Sequence, residues 1–417
     1  MKITTIGLGY IGLPTSIMFA KHGVNVIGVD INSEAVSKLN NGELHIEEPY
    51  LHEELLKALE SNTFRATTEV EPADCFIISV PTPNSNDEYK SCDVSIVESA
   101  CRSILPVLEK GNTVIIESTI APRTTEDVIK PIFEEVGYSI GEDLYLIHCP
   151  ERVLPGKIME ELKYNNRIVG GITRECTTKA KEIYSLFVEG EIIETDSKTA
   201  ELSKLMENTF RDTNIALANE LAKICYELDI NALKVIEMAN KHPRVNLHYP
   251  GPGVGGHCLA VDPYFIIAKA PEKSELISKS REINNSMPSF IVDIVKKLVN
   301  KNNFKKITVL GLTYKGNIDD IRESPAMDIY HMLQKNLNID IVAHDPHVQK
   351  SFVTNSIEEA VNDSSLLLVL SDHDEFKDLS NYSKLMDNPV ILDTKNVVVK
   401  HDGYKYYNYD NLYKLKQ

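Results

Sequence analysis

The sequence predicts an α/β protein with two Rossmann-like domains and one long helical segment between them. Three observations carry that prediction. A GxGxxG turn, Gly7-Leu8-Gly9-Tyr10-Ile11-Gly12, sits between an apolar strand and an apolar helix. The stretch Lys306 to Gly316 repeats Lys2 to Gly12 in register, with the Lys-Ile-Thr start and the first and third glycines kept. Between the two copies, Thr199 to Leu228 has neither proline nor glycine and carries apolar residues at helical spacing.

A chain of 417 residues suffices for two or three domains with full cores. Hydrophobic residues at 42% and charged residues at 25% fit an ordinary soluble globular protein. The formal charge of −17 argues against nucleic acid and anionic membranes as partners, since both need a basic surface, so an anionic ligand needs a local cluster of Lys and Arg. The seven cysteines are an odd number without metal-type pairs, which fits reduced thiols in a cytoplasmic protein. The chain enters an apolar strand almost at Met1, so no signal peptide is expected, and no apolar run is long enough to span a bilayer. No helix-spaced histidine pair occurs, so no metal site is proposed.

In order along the chain, Lys2 to Ile6 reads as a buried strand, Leu13 to His22 as a helix and Val24 to Val29 as a second strand ending at Asp30. Gly7 and Gly12 suit a tight turn and close helix packing, Gly9 admits a pyrophosphate, and the helix N-terminus supplies amide donors. Asp30 stands where a carboxylate accepts from ribose hydroxyls, and Ile31-Asn32-Ser33 offers no arginine for a 2′-phosphate, which favours NAD over NADP. Strands follow at Cys75 to Val80, Thr113 to Ser118, Leu144 to Cys149 and Arg167 to Gly171. The loops at the carboxyl ends of the first three, Pro81-Thr82-Pro83, Glu117-Ser118-Thr119 and Cys149-Pro150-Glu151-Arg152, are where an open α/β sheet lines its crevice.

On the long helix, Glu201, Lys204, Asn208 and Arg211 share one face, while Leu202, Leu205, Met206 and Leu217 are available to a partner helix. Lys241-His242-Pro243-Arg244 leads into Gly251-Pro252-Gly253-Val254-Gly255-Gly256-His257-Cys258, with Asp262 four residues on. Glycines there admit positive φ and a close ligand, so a nucleophilic thiol ends a loop able to fold around something small. A break is expected near Pro271 to Glu275, a helix at Ser289 to Leu298 and a polar linker at Asn300 to Lys306. In the repeated unit Thr313 replaces the glycine that admits a pyrophosphate, and Lys315 and Arg322 suit a phosphate ligand held by side chains. Ile339 to His344 and Leu366 to Leu370 continue the strand pattern, Asp393-Thr394-Lys395-Asn396 ends another strand, and Asp402 to Gln417 reads as a tyrosine-rich cap.

These motifs resemble those of the UDP-glucose/GDP-mannose dehydrogenase family. The likeness runs from Gly7 to Asn396, with Glu117-Ser118-Thr119, Cys149-Pro150-Glu151-Arg152, Lys204-Leu205-Met206-Glu207-Asn208, Gly255-Gly256-His257-Cys258 and Tyr314-Lys315-Gly316 as its most specific parts. Within the family it is greatest to bacterial enzymes acting on UDP-N-acetyl-D-mannosamine. The resemblance implies an NAD-binding Rossmann domain at 1–180, a central helical dimerisation segment with the cysteine loop at 190–298, and a Rossmann-like UDP-sugar domain at 304–417. It also implies oxidation of a sugar-nucleotide C6 alcohol to the carboxylate with two NAD+ and one water, for surface (capsule) polysaccharide synthesis by a homodimer. Cys258 then traps the aldehyde, Lys204 and Asn208 stabilise oxyanions, Asp262 and Glu151 are the candidate bases, and Thr119 orients water. By the same resemblance Gly7, Gly9, Tyr10, Ile11, Gly12, Asp30, Thr82 and Thr119 bind the cofactor. Arg152, Val153, Arg211, His242, Arg244 and Gly255, with Lys204 and Asn208, meet the sugar nucleotide, joined by Tyr314, Lys315, Arg322 and Lys395 of the last domain.

Other readings stay open. UDP-N-acetylglucosamine, UDP-glucose and GDP-mannose are alternative substrates. A two-electron dehydrogenase would need no cysteine and would release one NADH. A non-catalytic NAD- or sugar-nucleotide-binding regulator would bind without turnover. Cys92 follows the polar loop Asn84 to Ser91, and a disulfide from it to Cys258 would be inhibitory; a plain packed thiol is the other reading.

Overall fold

The computed structural model describes residues 1–387 and 389–416 and divides into two units, Met1–Glu207 with Tyr264–Pro271, and Asn208–Pro263 with Glu272–Gln417. The first unit is built on β1 (Lys2–Ile6), β2 (Asn25–Val29), β3 (Phe64–Thr67), β4 (Cys75–Ile78), β5 (Asn112–Ile116), β6 (Leu144–His148), β7 (Arg167–Gly171) and β8 (Ile192–Asp196). They form one sheet in the order β3-β2-β1-β4-β5-β6-β7-β8, in which only β7 runs antiparallel to its neighbour β6. Helices cover both faces, so the inner strands read as unbroken apolar runs, such as Cys75-Phe76-Ile77-Ile78, buried throughout. One core gathers Leu13, Ile17 and Phe19 with Ile3, Ile77 and Ile147; the other gathers Phe76, Val114 and Leu146 with Ile129 and Phe133. The strand order reverses between β1 and β4, the usual place for a ligand crevice in such sheets.

The expected inner strands appear with ends within two residues of their predicted bounds. The edge strands β3 and β8 were not anticipated. Each has a half-exposed pattern, Phe-Arg-Ala-Thr and Ile-Ile-Glu-Thr-Asp, without the apolar run that marks the interior.

The long helix spans Ser197–Glu227. Asp196 caps it, its carboxylate accepting from Thr199 N at 3.0 Å and Thr199 Oγ1 at 2.8 Å. It stops where Asp229 turns left-handed (φ 59°) and Ile230 N bonds back to Cys225 O.

In the second unit β9 (Lys306–Leu310), β10 (Asp340–His344), β11 (Leu366–Val369), β12 (Val390–Asp393) and β13 (Lys405–Tyr407) form an all-parallel sheet in the order β10-β9-β11-β12-β13. Its main core joins Ile307, Val309 and Leu368 to Ile291, Val295 and Leu298 of the helix Met287–Asn302 and to Ala222 and Tyr226 of the long helix. Two expectations are corrected. The linker expected from Asn300 to Lys306 is shorter: the helix continues to Asn302 and ends on left-handed Asn303 (φ 52°), and β9 begins at Lys306. The carboxyl-terminal segment is more than a cap, since it supplies β13 and buries Tyr407, Tyr409, Leu412 and Leu415 in the core.

Candidate active site

In the first unit the glycine turn divides its labour as the sequence suggests. Gly7 has φ 93°, and a Cβ on it would lie 2.4 Å from Ser79 O; a Cβ on Gly12 would lie 1.9 Å from Gly7 O. A Cβ on Gly9 would meet nothing within 4 Å, so that glycine faces open space. Tyr10 is exposed and Ile11 half-buried at the start of helix α1 (Gly12–Lys21). Asp30 accepts from Leu8 N through Oδ2 and from Asn32 N through Oδ1, both at 2.9 Å. Those two bonds aim the carboxylate and leave lone pairs for a diol. The residues therefore fit NAD: an open phosphate turn, a helix N-terminus and an acidic partner for ribose, with Ile31 98% exposed where a cation would be needed for NADP.

The polar strand ends meet one another. Thr82 Oγ1 donates to Thr119 O at 2.6 Å, and the buried Lys204 ammonium donates to Thr119 Oγ1. Glu151 is held on both oxygens: Oε2 pairs with the buried Arg167 guanidinium, and Oε1 accepts from Arg152 N at 2.8 Å. Arg152 pairs with Glu207 at 2.7 Å and donates to Asn166 O, beside half-buried Val153. Glu201 does not reach towards this group. It is buried and receives Arg123 N, Thr125 N and Thr125 Oγ1, so its work is to anchor the 123–125 backbone.

Arg167, Glu117 and Tyr184 were missed as a set. Tyr184 Oη donates to Glu117 Oε1 at 2.6 Å, and the Arg167 guanidinium lies 3.4 Å from that oxygen and 4.3 Å from the Tyr184 ring centre. Burial, with the Glu151 charge adding and Arg167 opposing, raises the Glu117 carboxyl to about 7. A charged residue opening the otherwise apolar strand Arg167-Ile168-Val169-Gly170-Gly171 was the available signal, but nothing in its neighbours names the partner.

In the second unit Cys258 is exposed at the end of the glycine loop. Asp262 opens the helix Asp262–Lys269, is 2% exposed, bonds through its N–H to Cys258 O at 2.9 Å, and accepts from Asn208 Nδ2 at 2.7 Å. The loop's glycines are corrected in one respect: they admit the chain itself. A Cβ on Gly253 would lie 2.8 Å from Pro325, on Gly255 2.3 Å from Glu323 O, and on Gly256 2.7 Å from the Tyr314 ring. Gly251 N bonds to Asn219 Oδ1, and Tyr409 Oη donates to Gly251 O, so the loop's start is clamped as well.

Arg211, His242, Arg244 and Lys315 are exposed. Arg322 makes a two-point pair with Asp320, and Lys395 pairs with Asp372 at 3.3 Å, so an incoming anion would share these cations with aspartates. The site residues thus divide: Thr119, Glu151 and Lys204 fall in the first unit, Asn208, Cys258 and Asp262 in the second. Lys204 and Asn208 are one turn apart on the same helix.

Fold and site define an NAD-dependent dehydrogenase with a second nucleotide-type sheet. Three models of one family match the chain: its NAD binding domain at residues 1–188, its central domain at 198–286 and its UDP binding domain at 308–401. The chain belongs to the UDP-glucose/GDP-mannose dehydrogenase family. It is 48% identical to a UDP-N-acetyl-D-mannosamine dehydrogenase of Methanococcus vannielii, over 95% of this chain and 93% of that one. It is 43% identical to an NDP-N-acetyl-D-galactosaminuronic acid dehydrogenase of Ralstonia nicotianae, over 95% and 96%. Among solved structures it is similar to the UDP-N-acetyl-mannosamine dehydrogenase Cap5O from S. aureus, with a TM-score of 0.94, 60% identity and full coverage of both chains. No helix among the described residues is long and apolar enough to cross a membrane.

Proposed function

We propose that the protein oxidises the C6 alcohol of UDP-N-acetyl-D-mannosamine to the uronic acid in two steps, through a covalent adduct on Cys258. The observation that carries this reading is the exposed Cys258 on a clamped loop, with the buried Asp262–Asn208 pair one turn on. Family membership and the activities of its relatives support the substrate class.

NAD+, when bound, accepts the hydride in each oxidation. The chain's residues do the rest. Cys258 adds to the C6 aldehyde, and the thiohemiacetal retains a C–H bond for the second oxidation; water then cleaves the thioester. Lys204 and Asn208 donate to the oxygen that gains charge, Lys204 being held by Thr119. Asp262 is the better placed base. It accepts from Asn208 and follows Cys258 by one helical turn, whereas Glu151 is engaged by Arg167 and Arg152 N, which suits Glu151 to fixing the Arg152 loop. Arg152, Val153, Arg211, His242, Arg244 and Gly255 meet the sugar nucleotide, and Tyr314, Lys315, Arg322 and Lys395 grip its diphosphate. The domains run 1–180, 190–298 and 304–417, and the acid supplies surface polysaccharide synthesis in the cytoplasm, where the seven thiols stay reduced.

A panel of UDP-sugars with NADH counted for each tests the reading. UDP-N-acetyl-D-mannosamine should give the highest kcat/KM and two NADH per acid. One NADH per sugar, or a clear preference for UDP-glucose, would replace it.

The protein also acts as a homodimer. Leu202, Met206, Phe210, Leu217 and Ile224 are 39–63% exposed and lie in one narrow stripe of the long helix, opposite Lys204 and Asn208. Leu205, expected with them, is fully buried in its own chain and plays no part. The double variant Phe210→Asp/Leu217→Asp should elute as a 46.8 kDa monomer while the native chain runs at twice that mass. An unchanged mass would remove this interface.

A further inference from the structure

The turn Thr313–Asn317, which bears Tyr314 and Lys315, is gripped by four consecutive residues that follow β11. Ser371 Oγ donates to Thr313 O at 2.6 Å, and Gly316 N donates to Asp372 Oδ1 at 3.1 Å. Asn317 N donates to His373 Nδ1 at 2.9 Å, and Asn317 and Asp374 exchange two bonds of 2.9 and 3.0 Å. His373 is fully buried at the centre of this grip.

The hydrogen-bond directions settle its tautomer. A backbone N–H can only donate, so Nδ1 of His373 is an acceptor and carries no proton. The proton sits on Nε2, which lies 3.0 Å from Asp345 Oδ2 and 3.1 Å from Thr313 Oγ1. Thr313 spends its own hydroxyl proton on Lys315 O at 2.8 Å, so its oxygen is free to accept. Both ring nitrogens are therefore committed. His347, His373 and Glu375 bring ligand atoms within 4.8 Å of one another, but His373 has no lone pair left for a metal.

Asp345 is the register counterpart of Asp30. Leu312 N donates to its Oδ2 at 2.7 Å, as Leu8 N does to Asp30. Where Asp30 receives two backbone N–H groups, Asp345 receives Leu312 N, His347 N, Val348 N and the His373 ring, and is 4% exposed. Its capacity for a ribose diol is used up. The turn that His373 holds also seats Tyr314 under Gly255 and Gly256, just before Cys258.

We infer that His373 is a positioning residue for the turn that grips the UDP moiety, and that the same ring closes the second unit to a dinucleotide. It acts through Asn317 and Thr313 on Lys315 and Tyr314 and touches no substrate. This rests on the UDP-sugar reading above.

Calorimetric binding of UDP to the full chain tests it, with His373→Asn and His373→Gln. Asparagine places an acceptor where Nδ1 was, whereas glutamine places an amide donor near Nε2 and leaves Asn317 N without a partner. His373→Asn should bind UDP within about threefold of the native protein, and His373→Gln about tenfold or more weaker, with NAD affinity equal in all three. Mere space filling predicts the opposite order, since glutamine is nearer to histidine in volume. A glutamine variant that matches the native protein overturns the inference. If the native protein itself does not take up UDP, the substrate reading falls instead. Nitrogen NMR of histidine-labelled native protein supplies an independent measurement: His373 should show an unprotonated Nδ1 and a protonated Nε2, and a protonated Nδ1 overturns the assignment whatever UDP does.

Discussion

Replacing Cys258 with alanine should lower acid formation by at least about 10³-fold while leaving UDP and NAD binding near native. The reasoning concerns the aldehyde. A free aldehyde beside a nicotinamide has no hydride to give until something adds to its carbon. In the proposed mechanism sulfur at Cys258 makes that addition and would keep the half-oxidised sugar attached while cofactor exchanges. The thiol is exposed, so the carbon can reach it, and the loop behind it is clamped at Gly251, at Asp262 N and by Tyr314, so deletion of Sγ should leave the backbone in place. Serine at the same position keeps the geometry but is a far weaker nucleophile at neutral pH, and its variant should fail in the same way. Single-turnover experiments should find at most one NADH per sugar in either variant. Two NADH and free acid at native rates from Cys258→Ala would show that water alone performs the second step.

The parts of this account that were readable in the chain share a property: each is local. The glycine turn, the strand ending at Asp30 and the register repeat at Lys306 to Gly316 all lie within one βα unit, where spacing alone carries the chemistry. The long helix announced itself by the absence of proline and glycine and the helical apolar spacing from Thr199 to Leu228. Partners far apart in sequence were not readable. Arg167 meets Glu117 and Glu151, His373 meets Asp345 and Asn317, and Tyr409 meets Gly251. Each of these pairs depends on strand order or on which loop faces which, and no periodicity reports that. The glycine loop shows the same limit from the other side. Its composition said that something approaches the backbone closely, but not that the neighbour is Tyr314 and Pro325 of the same chain. Leu205 failed as a surface residue because helical spacing marks a face without telling which face turns inward.

The second large effect is expected at Arg167. Its side chain is 4% exposed and lies among Glu117, Glu151, Tyr184 and Cys149. Burial, with the Glu151 charge adding and the shared Arg167 guanidinium opposing, holds the Glu117 carboxyl up at about 7 instead of the ordinary 4.5. Arg167→Met keeps much of the volume and removes the guanidinium of this cluster, leaving the Glu151 carboxylate, 9% exposed, without its ion pair. That should cost about 3–5 kcal/mol of stability in the first unit. The pH dependence follows from Glu117. A carboxyl whose folded-state pKa is raised contributes stability that is fully present below about pH 4.5 and is lost as pH rises through about 7. Removing the opposing guanidinium strengthens that loss, so the Arg167→Met deficit in melting temperature should widen between pH 5 and pH 8. Glu117→Gln, which cannot ionise, should gain on the native protein over the same interval and should narrow the deficit when combined with Arg167→Met. Scanning calorimetry of the four proteins at the two pH values reads all of this. A deficit that stays constant with pH would mean that the guanidinium does not act on the ionisation of Glu117 and that Arg167 serves the cluster through packing and hydrogen bonds alone.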